Sequence, residues 1–454
     1  MGNNATQTID TFTGPVFRPG DEGYEAEIAG FQTAYTHRPA LVVGAVHAED
    51  VRSAVEYAAR QGLPVAVQAT GHGLSVAADG GVLISTRRMT AITIDPATRI
   101  ARIGAGVRAG ALVEAAARHG LAPLNGSSPS VGVVGYSLGG GTGILARQFG
   151  YAADHVRAIE LVTADGRVRR LTPGDELFGA VLGTGGNFGV ITALEVELVE
   201  LTEVWGGQLV FDTPLVDAAL AAWREWTATV PEELTSTVSL LTFPDIPQVP
   251  EPLRGRYVAS FRIAFTGSAE EGERLVAPLR AVGPRLKDDL RTMPYTETHT
   301  IHSDPEHPHG YAATNAMLGE LTPETLSALL ALTGPDGPLR VVVDIRHLGG
   351  ALGRPGPNGV AVDHRDAAYV VRVIAMPDPA DGAAAPAALA RVREALAPWT
   401  IGHSLNFLYG AGAAADEAQT RAGYAAETYV RLAALKSKYD AHNMFRFNRN
   451  IRPN

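Results

Sequence analysis

The chain carries two hydrophobic periods. Ala40–Val46 is an unbroken apolar run of strand length, and Pro64–Gln68 is a second. Between them Val51, Ala54, Val55, Ala58 and Ala59 recur at helical spacing, so Glu49–Gln61 predicts a helix with one buried face. Together they form a βαβ-like unit that delivers the chain into a tight polar turn, Ala69-Thr70-Gly71-His72-Gly73-Leu74-Ser75. Short strands are predicted at Val82–Ser85, Ala91–Asp95 and Arg99–Ile103, and then a helix at Ala109–Arg118 closed by Gly120. A hairpin-like pair surrounds Ala164-Asp165-Gly166, and a further strand covers Val190–Val199.

From about Trp205 the pattern changes to longer strands (Val238–Thr242, Tyr257–Thr266, Leu339–His347, Ala368–Met376) alternating with helices, which reads as a separate α+β unit. Phe243–Pro252, Gly353–Asn358 and Pro377–Pro386 read as loops. Glu427–Arg446 predicts an amphipathic helix, with Val430, Leu432, Leu435 and Tyr439 on its apolar face, that ends near Asn443.

Composition narrows the function classes. Of 454 residues, 46% are hydrophobic and 19% charged, which suits a packed globular protein. A net charge of -10 argues against nucleic acid or an anionic membrane as partner. No apolar run approaches the roughly 18–20 residues of a membrane span. The start, Met1–Gly14, is polar and lacks a secretory pattern, so a cytoplasmic location is expected. With no cysteine at all, disulfides, thiolate nucleophiles and thiolate metal sites are excluded.

Three glycine clusters fall within the first 200 positions: Gln68–Ser75, Gly126–Gly143 and Gly183–Gly189. Glycine permits close backbone approach and lets successive N–H groups point at an anion. The first cluster contains no Lys or Arg, so a phosphate there would be held by main-chain donors. His72 stands between two of its glycines, either a chance loop histidine or a nucleophilic imidazole beside a cofactor. Gly135-Tyr136-Ser137-Leu138-Gly139 also matches a nucleophile elbow, which makes a serine hydrolase acting through Ser137 a rival. The spacing is not that of a Rossmann fingerprint, and the P-loop lysine is missing. His299, His302, His307 and His309 lie in a proline-broken segment without a helical i, i+4 pair, so no metal site is expected and a loop near a substrate pocket is preferred. His347 reads equally as a packed polar residue or a ligand contact.

The loop VAVQATGHGLS, the run NGSSPSVGVVGYSLGGGTG, the segment DELFGAVLGTGGNFGVIT and the tail YVRLAALKSKYDAHNMFRFNRNI together resemble one family. It is the berberine-bridge-enzyme-like branch of the vanillyl-alcohol-oxidase, or p-cresol-methylhydroxylase-type, FAD oxidoreductases, and the resemblance extends over nearly the whole chain. It implies an α+β, two-domain FAD-binding fold with an inserted substrate domain made of an antiparallel sheet covered by helices. The FAD domain would comprise residues 1–204 and the returning segment 401–454, with the substrate domain at 205–400.

The resemblance also implies an FAD joined covalently to His72 through the flavin 8α-methyl group. Gln68, Ala69, Thr70, Gly71, Gly73, Leu74 and Ser75 would cradle the pyrophosphate. Gly126, Ser127, Ser128, Val131, Gly132, Gly135, Tyr136, Gly139, Gly140, Gly141 and Gly143 would line the flavin and its ribityl chain. Asn187, Gly189, Val190 and Ile191 would approach the adenine side, and Asn448 and Asn450 would border the ring. The implied activity is an oxidase that takes hydride from a C–H of a small or medium organic substrate and is reoxidised by molecular oxygen. A tailoring enzyme of secondary metabolism using flavin-bound oxygen is the alternative within the family. Substrate identity and oligomeric state are left open.

Two departures from the family pattern stand out. Many relatives make a second flavin bond from a cysteine in G-x-C-P, where this chain has Gly126-Ser127-Ser128-Pro129, so only one covalent link is available. Alcohol-oxidising relatives often carry a tyrosine two residues before an asparagine, where this chain has Ser404-Leu405-Asn406. Serine is a poor base. With Asn406 kept as a candidate in the site, the base is sought in Tyr311 or Tyr369, or dispensed with by an amine substrate that loses its own proton.

Overall fold

The computed structural model describes residues 12–377, 380–410 and 416–454. Most of the polar start, Met1–Gly14, and two positions of the Pro377–Pro386 loop lie outside the described residues.

The chain folds as α+β around three principal sheets. In the first, Leu41–Gly44 and Val65–Gln68 both run parallel to Val82–Ser85, which lies between them, while Val16–Phe17 adds an antiparallel edge. The three parallel strands are almost wholly buried, as continuous apolar runs require. The crossover helix Ala48–Gln61 buries Val51, Ala54, Val55 and Ala58. Its start is fixed by Asp50, whose carboxylate accepts from the backbone N–H of Thr13 (2.7 Å) and of Val46 (2.9 Å). Gly62 ends it in the left-handed region at φ 63°.

The second sheet has five antiparallel strands in the spatial order Ile92–Asp95, Ile100–Gly104, Val190–Glu197, Val156–Val162, Val168–Leu171. It shares one apolar core with the first sheet and with the C-terminal helix Ala426–Tyr439.

The third sheet has nine strands, with Glu203–Asp212, Tyr257–Phe265, Leu234–Thr242, Val341–His347, Tyr369–Ala375 and Ala312–Leu318 adjacent in that order. Strand alternation gives it two unlike faces. One face presents Leu234, Val238, Phe261, Val343, Ile345, Val371 and Val373 to a core capped by the helices Val216–Thr227, Ala269–Arg280, Pro323–Thr333 and Ala384–Leu396. The other carries Arg262, Asp344, Arg346, Arg372 and Asn315, and it meets the glycine-rich half of the molecule. Tyr295 pins that meeting, its hydroxyl donating to Pro123 O (2.6 Å) and lying 2.9 Å from Asn125 Oδ1. Arg147 pins it a second time, with Nε donating to Leu234 O (2.9 Å) and Nη1 to His347 Nε2 (2.6 Å).

Three expectations need correction. The last helix is Ala426–Tyr439 and stops at Asp440, whose carboxylate takes the N–H groups of Met444 and Phe445 and turns the chain. Val430, placed on its apolar face, is 64% exposed. The Pro377–Pro386 loop ends early, because Ala384 already opens a helix.

Candidate functional site

His72 stands in the turn after Val65–Gln68, and its surroundings are assembled from distant parts of the chain. The ring stacks on Phe31 with centroids 3.8 Å apart and planes inclined by 12°. Nδ1 lies 3.0 Å from Thr70 Oγ1 and Nε2 lies 2.9 Å from Ser130 Oγ, which is itself 3.0 Å from Ser128 Oγ. Burial, reinforced by Arg108 and His309, pushes the imidazole pKa down to about 4. The ring is therefore neutral at pH 7 and one nitrogen keeps a lone pair. From just before the strand Ala312–Leu318, Tyr311 reaches over, and its hydroxyl donates to His72 O at 2.6 Å.

The second glycine cluster lies against the first. A side chain on Gly132 would touch Thr70 and Ala69, and one on Gly139 would collide with Asn406, whose Nδ2 donates to Tyr136 O at 2.8 Å. Asn406 thus fastens the returning C-terminal segment to the glycine run. Ser127 donates from that run to Asp304. Ser404 is held through its backbone, accepting from Asn315 Nδ2 and donating to Asn315 Oδ1.

The residues present fit an FAD. Gly73, Gly135, Gly185 and Gly186 face open space where a side chain would stand, so a bound group can approach the backbone closely there. Asn448 Oδ1, Asn450 Oδ1 and the Tyr136 hydroxyl are buried and find no hydrogen-bond partner among the described residues, and Asn448 Nδ2 reaches Gly186 O at 3.3 Å. Main-chain N–H groups, amides and hydroxyls, with no Lys or Arg in the first loop, are a donor set suited to a pyrophosphate and a polyol chain.

Several expected positions have other work. Gln68 is buried, its amide donating to Ile28 O and accepting from His37, so its side chain braces the loop from behind. The Asn187 amide is fully engaged, donating to Thr184 O and Arg449 O and accepting from Ile451 N. Gly189 is crowded by Val162 O, and Val190 and Ile191 are core strand residues. Tyr369 lies on the helix-covered face of the third sheet, its hydroxyl 2.6 Å from Thr227 Oγ1, and is not brought to His72. His347 packs on that face as well, at 5.6 Å from Tyr369, and burial beside Arg147 pushes its pKa down to about 3.

Ser137 does not form a nucleophile elbow. It sits within the helix Val133–Leu138 rather than on a strand-to-helix turn and is only 1% exposed, and among the described residues no histidine bonds to it. Of the proline-broken segment, His309 lies beside the His72 stack. His302 is buried, and the His309 ring lies 5.5 Å from Phe31 and 4.9 Å from Tyr311. Among the described residues no helix is long and apolar enough to cross a membrane.

Sequence reasoning missed Phe31, Ser130, Asp304, Asp344 and Tyr409. Ser130 stood two residues past a serine already singled out. The others lie on segments whose approach to His72 depends on tertiary folding, and only an ionic pattern on alternate strand positions, Asp344 and Arg346, hinted at them.

Comparison with known proteins agrees with this geometry. Residues 39–172 match the model of an FAD binding domain, and residues 414–452 match the family described as berberine and berberine like. The chain is 30% identical to (R)-6-hydroxynicotine oxidase of Paenarthrobacter nicotinovorans, with 97% of each chain covered. It is 26% identical to an FAD-linked oxidoreductase of Dictyostelium discoideum, over 99% of this chain and 98% of that one. Among solved structures, 6-hydroxy-D-nicotine oxidase from Arthrobacter nicotinovorans superposes with a TM-score of 0.82 at 28% identity, covering 98% of both chains. A chitooligosaccharide oxidase, 19% identical, shares the fold over 99% of both chains with a TM-score of 0.85.

Proposed function

The chain belongs to the berberine-bridge-enzyme-like branch of the FAD-linked oxidoreductases, and from that premise we propose an oxidase whose FAD is held by one covalent link, from His72, and whose substrate is a small organic molecule that loses hydride from carbon. The observation that carries this reading is the state of His72, a neutral imidazole held flat on Phe31 between two hydroxyls. A neutral ring is a nucleophile, and a protonated one is not. Bound there, FAD would supply the hydride acceptor, and reoxidation by molecular oxygen would release hydrogen peroxide.

The protein's own groups divide the remaining tasks. Backbone from Ala69 to Ser75, the Gly139–Gly143 stretch, Gly185, Gly186, Asn448 and Asn450 would hold the cofactor. The Tyr311 hydroxyl is engaged by His72 O, and burial raises its pKa, so it serves the loop better than it serves as a base at neutral pH. Tyr369 faces the other side of its sheet, and Ser404 is a weak base. These three facts favour an amine substrate, R2CH–NHR′, which reaches its reactive neutral form without an enzyme base and leaves as the imine, its two electrons and two protons passing in sum to oxygen. The relative named for 6-hydroxynicotine supports the amine reading more than the sugar oxidases do.

Acid precipitation of purified protein tests the link. Yellow colour is expected in the pellet of the wild type and in the supernatant of His72→Ala. A wild-type pellet without colour would overturn the covalent assignment, and an enzyme that consumes oxygen with alcohols but with no amine would overturn the substrate class.

A further inference from the structure

Phe31 stands apart from the apolar cores of the molecule, and among the described residues it belongs to none of them. The rings it meets are those of His72, stacked at 3.8 Å, His309, edge-on at 5.5 Å, and Tyr311 at 6.5 Å. The backbone fixes it there. Phe31 N donates to Thr70 O at 2.9 Å and Gln32 N to Gly71 O at 3.1 Å, so residues 31 and 32 run alongside the His72 loop. From the other side His309 N donates to Phe31 O at 3.0 Å. The approach is close: a side chain on Gly71, at φ 72°, would stand 2.6 Å from Gly30 Cα and 2.9 Å from Gln68 Oε1. Gln68 donates to Ile28 O and Ala29 O, which ties the segment carrying Phe31 to the strand that leads into the loop.

Attachment of a carbon to His72 would change the charge of the ring that Phe31 covers. When one nitrogen of a neutral imidazole gives its lone pair to carbon, the ring is a cation until the proton on its other nitrogen leaves. Burial, Arg108 and His309 oppose such a charge, and Asp304 favours it. Two features answer the opposition. Nδ1 faces the Thr70 hydroxyl and Nε2 that of Ser130, so whichever nitrogen bonds to carbon, the other has an oxygen that accepts its proton. The second feature is the face of Phe31, whose π-system is negative and whose plane lies within 12° of the imidazole. Such a face attracts a cation more strongly than a neutral ring.

We propose that Phe31 is a catalytic residue of flavin attachment, its ring face stabilising the positive charge that develops on His72 as the imidazole bonds to the 8α-carbon. The proposal rests on the covalent reading above and deepens it. In the net reaction one N–C bond forms, the methyl group and the imidazole N–H each lose a proton, and the two electrons released pass to molecular oxygen, which leaves as hydrogen peroxide. Phe31 exchanges no atom in this. Its contribution is electrostatic.

Fluorinated phenylalanines at position 31 test the proposal, because each fluorine withdraws charge from the ring face and changes its shape little. The full chain is made free of flavin and mixed with FAD, and the rate of attachment is read as the mass gained by the denatured protein. That rate is expected to fall stepwise through one, two and three fluorines to about a tenth of the wild-type value. Phe31→Leu should be at least as slow. A role in shape alone would spare the fluorinated rings and slow Phe31→Leu; that pattern, or one rate throughout, would overturn the proposal. Failure of the premise is read separately: a colourless wild-type acid pellet removes the His72 link and this role with it, and a yellow pellet with a flat fluorine series removes the role of Phe31 alone.

Discussion

Two buried ionic clusters in this molecule use the same chemistry and are finished differently. In the C-terminal segment Lys436 and Asp440 are both almost inaccessible, and every donor on the ammonium is answered: Asn187 O at 2.6 Å, Asp440 Oδ2 at 2.7 Å and Phe445 O at 2.9 Å. Asp440 in turn accepts from Met444 N and Phe445 N. On the polar face of the third sheet three arginines meet Asp344 and Asp304, one cation is in excess, and among the described residues Arg262 Nε, Arg372 Nε and Asp344 Oδ1 find no hydrogen-bond partner. A closed cluster can only hold the fold together. An open one leaves buried donors unanswered, and the two should respond to substitution to different degrees.

The largest expected effect is on the closed cluster. Lys436→Met leaves Asp440 buried without its cation and frees three acceptors, a loss of about 3–5 kcal/mol in chemical denaturation. Arg372→Gln removes a cation from a site that has one too many, and Asp344 keeps Arg346 at 3.1 Å. Its cost should be below about 1.5 kcal/mol. Equal destabilisation by the two variants would break the contrast.

The next effect follows the pH. The carboxyl of Asp344 is depressed in the folded protein, so the stability it contributes is present above its unfolded value of 3.8 and is lost as the pH falls below that. Asp344→Asn should thus cost stability at pH 7, and the gap between variant and wild type should narrow towards pH 3. A gap of constant width across that range would show that the loss comes from shape rather than from charge.

His72 supplies a smaller and more local test. With its pKa lowered to about 4, the imidazole stays neutral across most of the working range, so covalent flavin incorporation into apoprotein should run at a nearly constant rate from about pH 8 to pH 5.5 and fall towards pH 4. An ordinary histidine would lose the rate around pH 6.5. Ser130→Ala removes the hydroxyl 2.9 Å from Nε2 and should slow incorporation severalfold at every pH, because it loosens the ring without charging it.

Much of this was legible in the sequence where a single element decides the outcome. The strand Leu41–Gly44, the helix Ala48–Gln61 and the strand Val65–Gln68 follow from apolar period alone, and the glycine clusters marked where backbone can come close to a bound group. The site was legible in part. His72 was marked by its flanking glycines, but Phe31, Tyr409 and the Arg262–Asp344–Arg372 constellation come together only through the approach of two sheets, which no local pattern encodes. Asn187, which the family resemblance places on the adenine side, has its side-chain amide taken up at both ends by the C-terminal tail, a contact that no local pattern announces.

The same limit is written into one helix, Ala426–Tyr439, where hydrophobicity places Val430 inward and Lys436 outward. The structure reverses both, leaving Val430 at 64% exposed and Lys436 at 0%. A lysine can be interior when its three protons find acceptors held by neighbouring backbone and a carboxylate one turn on, and a valine can be exterior at little cost because scattered surface apolar groups are ordinary. Val430→Glu should therefore change stability by no more than about 0.5 kcal/mol, in the same helix where Lys436→Met costs several times as much. Thermal unfolding of the two variants side by side reads the difference directly. If Val430→Glu proved the more damaging of the two, the hydrophobic pattern would be reporting a buried surface that the folded chain acquires only against a partner.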